Sequence, residues 1–224
     1  MKKSPFITAI MLGFLLAIGA VEKASAADLP APITPTERTD LFNGKDFSGW
    51  TFCFSNNVEP SMTFTVTNGV IHCTGQPFSY VRTDKSFRDY KLTVEWRFVK
   101  TAPRADNTGV FVHVQTPDKV FPVCFENQGQ FHHHGDIILM AGAKSATHQG
   151  NGIQSERMKQ PQNENAAGEW NTYEVVCKGD TITNYVNGKE MNHVEGCNLT
   201  SGAIALQSEG GEWEARKVFI EPLK

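Results

Sequence analysis

Short runs in which apolar and polar residues alternate recur along most of the chain. The clearest covers residues 90–98, where every second residue from Tyr90 to Phe98 is apolar. Because successive side chains of a β-strand point to opposite faces, this pattern predicts a strand with one buried face. The same pattern predicts further strands near 62–67, 70–73, 109–115, 120–128, 136–140, 173–177, 181–186, 188–194, 202–207 and 213–221.

Turn signals separate these runs. Asn68-Gly69 and Asn187-Gly188 each stand between two predicted strands, and this dipeptide is typical of two-residue β-hairpin turns. No helical periodicity in the sequence persists for two turns. Many short strands with frequent turns predict an all-β fold, an antiparallel two-sheet sandwich or jelly roll. The polar stretch 144–168 is predicted to be a long ordered loop.

The N-terminal residues 1–26 have the pattern of a secretory signal peptide. Two lysines precede an apolar run over residues 6–20, and small residues before the predicted cut favour cleavage after Ala26. The apolar run is too short for a good transmembrane anchor. Residues 27–40 contain three prolines and are predicted to form an extended leader, and residues 41–224 to form one domain. The expected location is therefore periplasmic or secreted.

Composition narrows the classes of function. The 224-residue chain is 40% hydrophobic and 20% charged, which is typical of globular proteins. Its formal net charge is −3 and it has no run of five basic residues, so nucleic-acid binding is not expected. All five cysteines follow the predicted signal peptide, and an oxidising compartment permits disulfides. The pairs to check are Cys53–Cys73 and Cys177–Cys197, and the alternative is that the cysteines are small buried side chains.

Polar pairs spaced two residues apart stand on several predicted strands. Glu126 and Gln128 share one strand face, and His113 shares a face with Phe111 and Gln115 on the preceding strand. Such side chains offer the hydrogen-bonding groups that sugar hydroxyls require. A concave sheet would gather them in one hollow, whereas the simpler alternative is that they form ordinary solvated strand faces. The same spacing adds Tyr80 with Arg82, Glu95 with Arg97, and Gln207 with Glu209.

Three consecutive histidines and a carboxylate lie in residues 130–136. Imidazole and carboxylate groups suit zinc, nickel and similar ions, so His132, His134 and Asp136 are candidate ligands of a divalent metal ion. Adjacent strand residues point to opposite faces, so among the three histidines only His132 and His134 could converge on a strand. The alternative is a polar loop that lines the cleft, with His134 and Asp136 contacting substrate.

Other kinds of site have less support in the sequence. Trp96 lies on an apolar strand face and is predicted to be in the core, whereas Trp213 is the candidate platform for stacking a sugar ring. No G-x-S-x-G nucleophile elbow occurs, so a Ser-His-Asp hydrolase is not supported. A conventional jelly-roll glycanase would carry two carboxylates on one strand, but Gln128 follows Glu126 at the second position.

Five motifs in the same order resemble the 3-keto-disaccharide hydrolase domain family. LFNGKDFSGW at residues 41–50 is similar to the family's opening LFNGKDLSGW, and the others are NTGVF at 107–111, GEWN at 168–171, VNG at 186–188 and IALQSEG at 204–210. The resemblance covers residues 41–224 and implies a concanavalin A-like jelly roll, export, and action on 3-keto glycosides or other sugars. The chain departs from the family pattern at His113, where arginine is common, and at 125–128, where FENQ replaces YEVQ.

The implied chemistry needs few groups. A ketone at C3 acidifies the hydrogen on C2, so one base can form an enolate from which the C1 oxygen leaves by β-elimination, with water adding afterwards. Glu126 or His113 is the predicted base, and Arg82, His134 or a metal ion would stabilise the enolate. Glu209 or Asp136 would protonate the leaving group. The predicted substrate contacts are Arg82, Glu95, Gln128, His134, Asp136, Gln207, Glu209 and Trp213.

Two other functions are compatible with such a sandwich. A non-catalytic carbohydrate-binding module would present the same groove without a base, and a conventional glycoside hydrolase would use water directly. In each case the expected partner is a sugar or an oligosaccharide.

Overall fold

The alternating runs form strands of two stacked antiparallel sheets. The computed structural model describes residues 28–99, 107–147, 152–154 and 163–224, so the predicted signal peptide lies outside the described residues. The first sheet contains, in spatial order, β13 (Lys189–Val194), β12 (Thr181–Val186), β11 (Asn171–Lys178), β6 (Tyr90–Phe98), β15 (Trp213–Pro222), β4 (Val70–Cys73) and β3 (Phe64–Thr67), and β1 (Thr39–Asp40) also pairs with β15. The second sheet contains β10 (Gly152–Gln154), β9 (Ile137–Met140), β8 (Cys124–Gln128), β7 (Gly109–Val114), β14 (Ala203–Ser208), β5 (Ser79–Thr83) and β2 (Trp50–Phe54). The predicted all-β, antiparallel two-sheet fold is confirmed.

Local turn chemistry explains the hairpins. Asn68 and Gly69 have φ angles of 53° and 78° between β3 and β4, and Asn187 and Gly188 have 50° and 78° between β12 and β13. Positive φ at both central residues is the type I′ geometry that matches the twist of the flanking strands. Both predicted hairpins are confirmed.

Two strands lie outside the predicted runs. β5 is buried at all five positions and shows no solvated polar face, whereas β2 alternates, with aromatic residues at 50, 52 and 54, over only five residues. β10 lies inside the stretch predicted as a loop and pairs with β9. The loop prediction is therefore wrong at residues 152–154, and most of its remaining length lies outside the described residues.

The core lies between the sheets. Apolar side chains of β6, β11 and β15 meet those of β7, β8, β9 and β14 in one buried cluster. Trp96 is part of it, as predicted. All five cysteines are free thiols, and four of them are buried, so the alternative of small buried side chains is the one observed.

A β-bulge interrupts β7 and changes which way His113 points. Ala203 pairs with Val114 and Ala205 pairs with Phe111, so one residue of β14 faces two residues of β7. His113 has a φ of 55°, and its ring contacts the core residues Tyr90 and Phe125 at centroid distances of 6.1 and 6.4 Å. The prediction that His113 shares a face with Phe111 is therefore wrong.

The leader contacts the domain at Leu29 and Ile33. The Ile33 N–H donates to the Ser86 carbonyl at 2.9 Å, and Leu29 packs against the outer side of the second sheet. In the described residues no helix is long and apolar enough to cross a membrane. The 27–40 boundary of the leader stays a prediction.

Candidate functional site

Polar side chains gather on the outer side of the second sheet, the side that faces away from the core. Alternation along β8 puts Phe125 and Asn127 inside and Glu126 and Gln128 outside. Phe111 lies across from Glu126, and the ladder continues through Ala205 to Arg82 on β5. One row further along, Gly109 lies across from Gln128, and Gln207 lies across from Tyr80. We call this surface the polar face, and its charged and amide side chains are Arg82, Asn107, Glu126, Gln128, Gln207 and Glu209.

The Glu126 carboxyl occupies space that a glycine leaves open. A Cβ atom at Gly109 would lie 2.5 Å from Glu126 Oε1 and 3.1 Å from Gln207 Oε1. Glu126 is only 3% exposed. Burial, and to a smaller extent the charge of Glu209, raises the pKa of Glu126 to about 8. Glu126 is therefore largely protonated at neutral pH.

Glu209 has a more polar environment. Its Oε2 accepts hydrogen bonds from Asn107 Nδ2 at 2.9 Å and from Gln207 Nε2 at 2.6 Å. Partial burial raises the pKa of Glu209, whereas the hydrogen bond from Gln207 lowers it. Because donors stabilise the charged form of a carboxylate, Glu209 is the better site for the negative charge of the pair.

Three buried oxygens of the polar face lack a hydrogen-bond donor in the part of the chain that the structure describes. They are Glu126 Oε1, Gln207 Oε1 and Asn107 Oδ1. Buried polar atoms without partners are uncommon in folded proteins and call for a specific explanation. A proton on Glu126 would supply one donor, and a ligand rich in hydroxyl groups would supply the others.

Arg82 holds a loop over the polar face. Its Nε and Nη2 donate to the two carboxylate oxygens of Asp118 at 2.7 and 2.8 Å, and Tyr80 Oη donates to the same carboxylate at 3.0 Å. Asp118 belongs to the connection between β7 and β8, so this bidentate pair ties that connection to β5. Arg82 therefore positions the loop and is already paired, which disfavours its predicted role at an enolate.

Three of the predicted site residues lie away from the polar face. Glu95 is on the first sheet, where Arg216 and Lys217 bind its carboxylate and lower its pKa to about 2. Trp213 is 3% exposed in the core and donates to the Gln207 carbonyl, so it is not a surface platform. His113 is buried, and burial lowers its pKa to about 4. These placements correct the sequence-based expectation for all three.

The histidine segment forms a second polar cluster at the rim of the sandwich. His134 is buried among aromatic rings, 4.9 Å from Trp96 and 5.7 Å from Tyr173 by centroid, and burial lowers its pKa to about 3. His132 and His134 each approach the Glu164 carboxylate at 3.2 Å. A neutral imidazole packed at a tilt against aromatic rings is poorly suited to stabilise an enolate, so the structure disfavours this predicted role of His134.

The predicted metal ligands do not gather as expected. Asp136 Oδ2 lies 3.4 Å from His133 Nδ1, whereas His132 and His134 converge on Glu164. Burial raises the pKa of Asp136 to about 7. Within the described residues no three His, Cys, Asp or Glu side chains are grouped so that they could hold a metal ion. The donor set therefore does not fit the metal site that the histidine run suggested.

A protein-family profile matches most of the chain and identifies the family to which it belongs. The profile of the 3-keto-alpha-glucoside-1,2-lyase-like domain matches residues 37–221. The chain belongs to this family. The family predicted from the five motifs is thereby confirmed.

Solved structures share the fold of this family member at low sequence identity. The structure named "putative glycosyl hydrolase" from Parabacteroides distasonis has a TM-score of 0.61 at 21% identity, covering 84% of this chain and 94% of its own. A β-glucanase from Bacillus licheniformis has a TM-score of 0.55 at 13% identity, covering 83% and 97%. The carbohydrate-binding module CBM66 from Bacillus subtilis has a TM-score of 0.51 at 11% identity, covering 77% and 95%. No curated protein matches the sequence. These neighbours establish the concanavalin A-like jelly roll.

Two polar residues of the site in this 3-keto-alpha-glucoside-1,2-lyase-like domain were not singled out from the sequence. Asn107 opens the NTGVF motif, so its position beside Glu209 had a signal in the family resemblance. Asp118 lies in a connection without periodicity, and only the folded loop shows that it meets Arg82. Of the residues predicted to touch substrate, the polar face brings together Arg82, Gln128, Gln207 and Glu209 with the predicted base Glu126.

A Gly109→Ala substitution is expected to lower kcat at least about tenfold and to lower the melting temperature by a few degrees, since the new methyl group also crowds Glu126 Cγ at 2.9 Å in a buried site. The new methyl group would displace the flexible end of Glu126, and a misplacement of about 1 Å can cost two orders of magnitude in rate. Steady-state kinetics with a 3-keto glucoside, together with thermal melts, measures both effects. The double variant Gly109→Ala/Glu126→Asp restores the space, so part of the activity should return. Unchanged kcat in the single variant would contradict the placement of Glu126.

Proposed function

We propose that this chain is an exported carbohydrate-active enzyme that cleaves 3-keto glycosides by β-elimination at the polar face. The main support is a group of buried acceptor oxygens, Glu126 Oε1, Gln207 Oε1 and Asn107 Oδ1. They lie beside the carboxyl groups of Glu126 and Glu209, whose environments differ. A sugar supplies the hydroxyl donors that these oxygens need. The predicted signal peptide supports export, and the family supports the keto sugar as substrate.

Glu209 is the base in this proposal. Its hydrogen bonds from Asn107 and Gln207 favour the carboxylate, and partial burial strengthens it as a base. Glu209 takes the proton from C2 of the keto sugar, and the electron pair of the C2–H bond moves into the C3 carbonyl to form an enolate. Glu126 and Glu209 thereby exchange the roles of base and acid that were predicted for them.

Glu126 is the acid. Its pKa of about 8 keeps the proton on the buried carboxyl at neutral pH. The enolate reforms the C3 carbonyl, a C1–C2 double bond forms, the C1–O bond breaks, and Glu126 donates its proton to the departing oxygen. Two carboxyl groups whose environments separate their protonation states are the usual means by which one site carries both an acid and a base.

Gln128 is the donor closest in sequence to the acid on this strand face. Its Oε1 accepts the Gln130 N–H at 2.9 Å, which leaves the amide nitrogen to donate to the developing enolate oxygen. After the leaving group departs, the Glu126 carboxylate takes a proton from water, the hydroxide adds to C1, and protonated Glu209 returns a proton to C2. Both carboxyl groups thereby recover their starting protonation states, and the net change is addition of one water across the glycosidic bond.

Conventional glycoside hydrolysis is the second candidate, because the structure supplies a second carboxyl near Glu126. Glu209 directly follows β14 and does not belong to β8, so the amide at Gln128 does not exclude a two-carboxylate mechanism. That mechanism needs no ketone and never breaks the C2–H bond. A binding module would bind sugars without converting them.

Turnover of a methyl 3-keto-glucoside in D₂O separates these functions. We expect cleavage that requires the ketone, with deuterium at C2 of the hydrated product and no turnover of the unoxidised glycoside. Mass spectrometry and NMR of the product measure both. Cleavage of the unoxidised glycoside without deuterium at C2 would favour conventional hydrolysis, and binding without turnover of either compound would favour a binding module.

A further inference from the structure

Two exposed phenylalanines lie in ring contact next to the polar face. Phe78 is 43% exposed and Phe121 is 51% exposed, and their ring centroids are 6.3 Å apart. Among the described residues, only two other large apolar side chains are exposed, Ile33 and Met62. An exposed apolar patch bordered by polar groups is typical of a ligand-binding groove.

The strand register brings this pair toward Glu209. Gln207 pairs with Tyr80 and Ser208 pairs with Ser79, and continuing this antiparallel register by one residue past the two strands brings Glu209 across from Phe78. Ser79 and Val81 point into the sandwich. Alternation therefore places the side chain of Phe78 on the polar face together with those of Tyr80 and Arg82. Neighbouring strands lie about 4.8 Å apart, which is close to the width of a pyranose ring.

The loop between β7 and β8 brings Phe121 to the same place. Asp118 of this loop is held by Arg82 and Tyr80, as described above, and Phe121 follows three residues later. The loop therefore returns across β5 toward Phe78. The ion pair fixes the position of the second ring in the absence of ligand.

We propose that Phe78 and Phe121 form a stacking platform for the keto sugar ring that Glu209 deprotonates. The platform rests on the proposed function. The C–H face of a pyranose is apolar and packs against aromatic rings, whereas its hydroxyl edge needs hydrogen-bonding groups. A ring held over Phe78 has its edge toward Glu209 and the amides of Gln207 and Asn107, so the platform orients C2 toward the base.

The test is a comparison of Phe78→Ala and Phe121→Ala with methyl 3-keto-glucoside and a 3-keto disaccharide. Each variant should raise KM about tenfold for both substrates and leave kcat within about threefold, because the rings bind substrate without touching the reacting proton. Met62→Ala is the matched control, since Met62 is 69% exposed near β3 of the first sheet and should leave KM unchanged. Thermal melts verify that the variants fold.

The outcomes separate the platform from the proposed function. Unchanged KM in both variants while the wild type turns over the keto glycosides would overturn the platform alone. A rise in KM confined to the disaccharide would also overturn it, since the rings would then hold the leaving sugar. If the wild type converts no keto glycoside, the proposed function fails, and calorimetry with the methyl 3-keto-glucoside decides the platform. Weaker binding by the variants supports the platform, and equal binding overturns it.

Discussion

Replacing Glu209 with glutamine should lower kcat for a 3-keto glucoside by about 10² to 10⁴-fold, the usual contribution of a positioned acid or base. The amide keeps the shape of the side chain but cannot take the C2 proton. Glutamine can still accept the hydrogen bonds from Asn107 and Gln207 through its oxygen, so the site should remain assembled. The loss is therefore expected in kcat, with KM changed by only a few fold.

Steady-state kinetics and calorimetric binding measure the two effects of Glu209→Gln separately. Glu95→Gln is the matched control, because Glu95 is a strand carboxylate on the first sheet with Arg216 and Lys217 as partners. It should leave kcat unchanged. Exchange of the C2 hydrogen with solvent deuterium should be lost in Glu209→Gln and kept in the control. If Glu209→Gln retained wild-type turnover, Glu209 could not be the base.

The fold follows from features that a sequence carries locally. A strand with one face in the core must alternate, and the hairpin turns need positive φ at two adjacent positions, which Asn68-Gly69 satisfies. β5 has no alternation because side chains on both of its faces are buried, whereas β2 does alternate, with aromatic residues at 50, 52 and 54, and was predictable from the pattern. A strand covered on both faces shows no period of two, so pattern alone does not separate it from other apolar segments.

The site was predictable only as far as alternation holds. Glu126, Gln128, Gln207 and Glu209 share the polar face because β8 and the end of β14 keep a regular register. His113 does not, because one extra residue in β7 reverses every later side chain of that strand. The close approach of Gly202, whose Cβ would lie 2.4 Å from the His113 carbonyl carbon, belongs to this bulge and has no periodic signature.

The other differences between prediction and structure come from contacts between residues that are far apart in sequence. Trp213 follows Gly210-Gly211 by two residues, a local signal of exposure, yet β15 is a central strand of the first sheet and carries the ring inward. Phe121 and Asp118 reach the polar face through a loop whose path depends on the Arg82 ion pair. The local spacing of polar and apolar residues does not predict such long-range contacts.

Glu126→Gln should abolish most activity and at the same time make the protein more stable at alkaline pH. The folded state raises the pKa of Glu126 from its ordinary 4.5 to about 8, mainly through burial. The proton is therefore held by the folded state and not by the unfolded chain between these values. The stability that this group contributes is full below pH 4.5 and is lost as the pH rises to about 8, at a rate of about 1.4 kcal/mol per pH unit.

An amide does not ionise, so this pH dependence should be absent from the variant. Denaturant unfolding between pH 5 and pH 9 compares the two proteins, with Glu95→Gln as the control at a carboxylate whose pKa is lowered to about 2. In the wild type, turnover should also fall above pH 8 because the acid is then ionised, whereas a base in this position would give a rising profile. An increase of kcat through pH 8, or equal pH dependence of stability in wild type and Glu126→Gln, would show that Glu126 is not the buried acid.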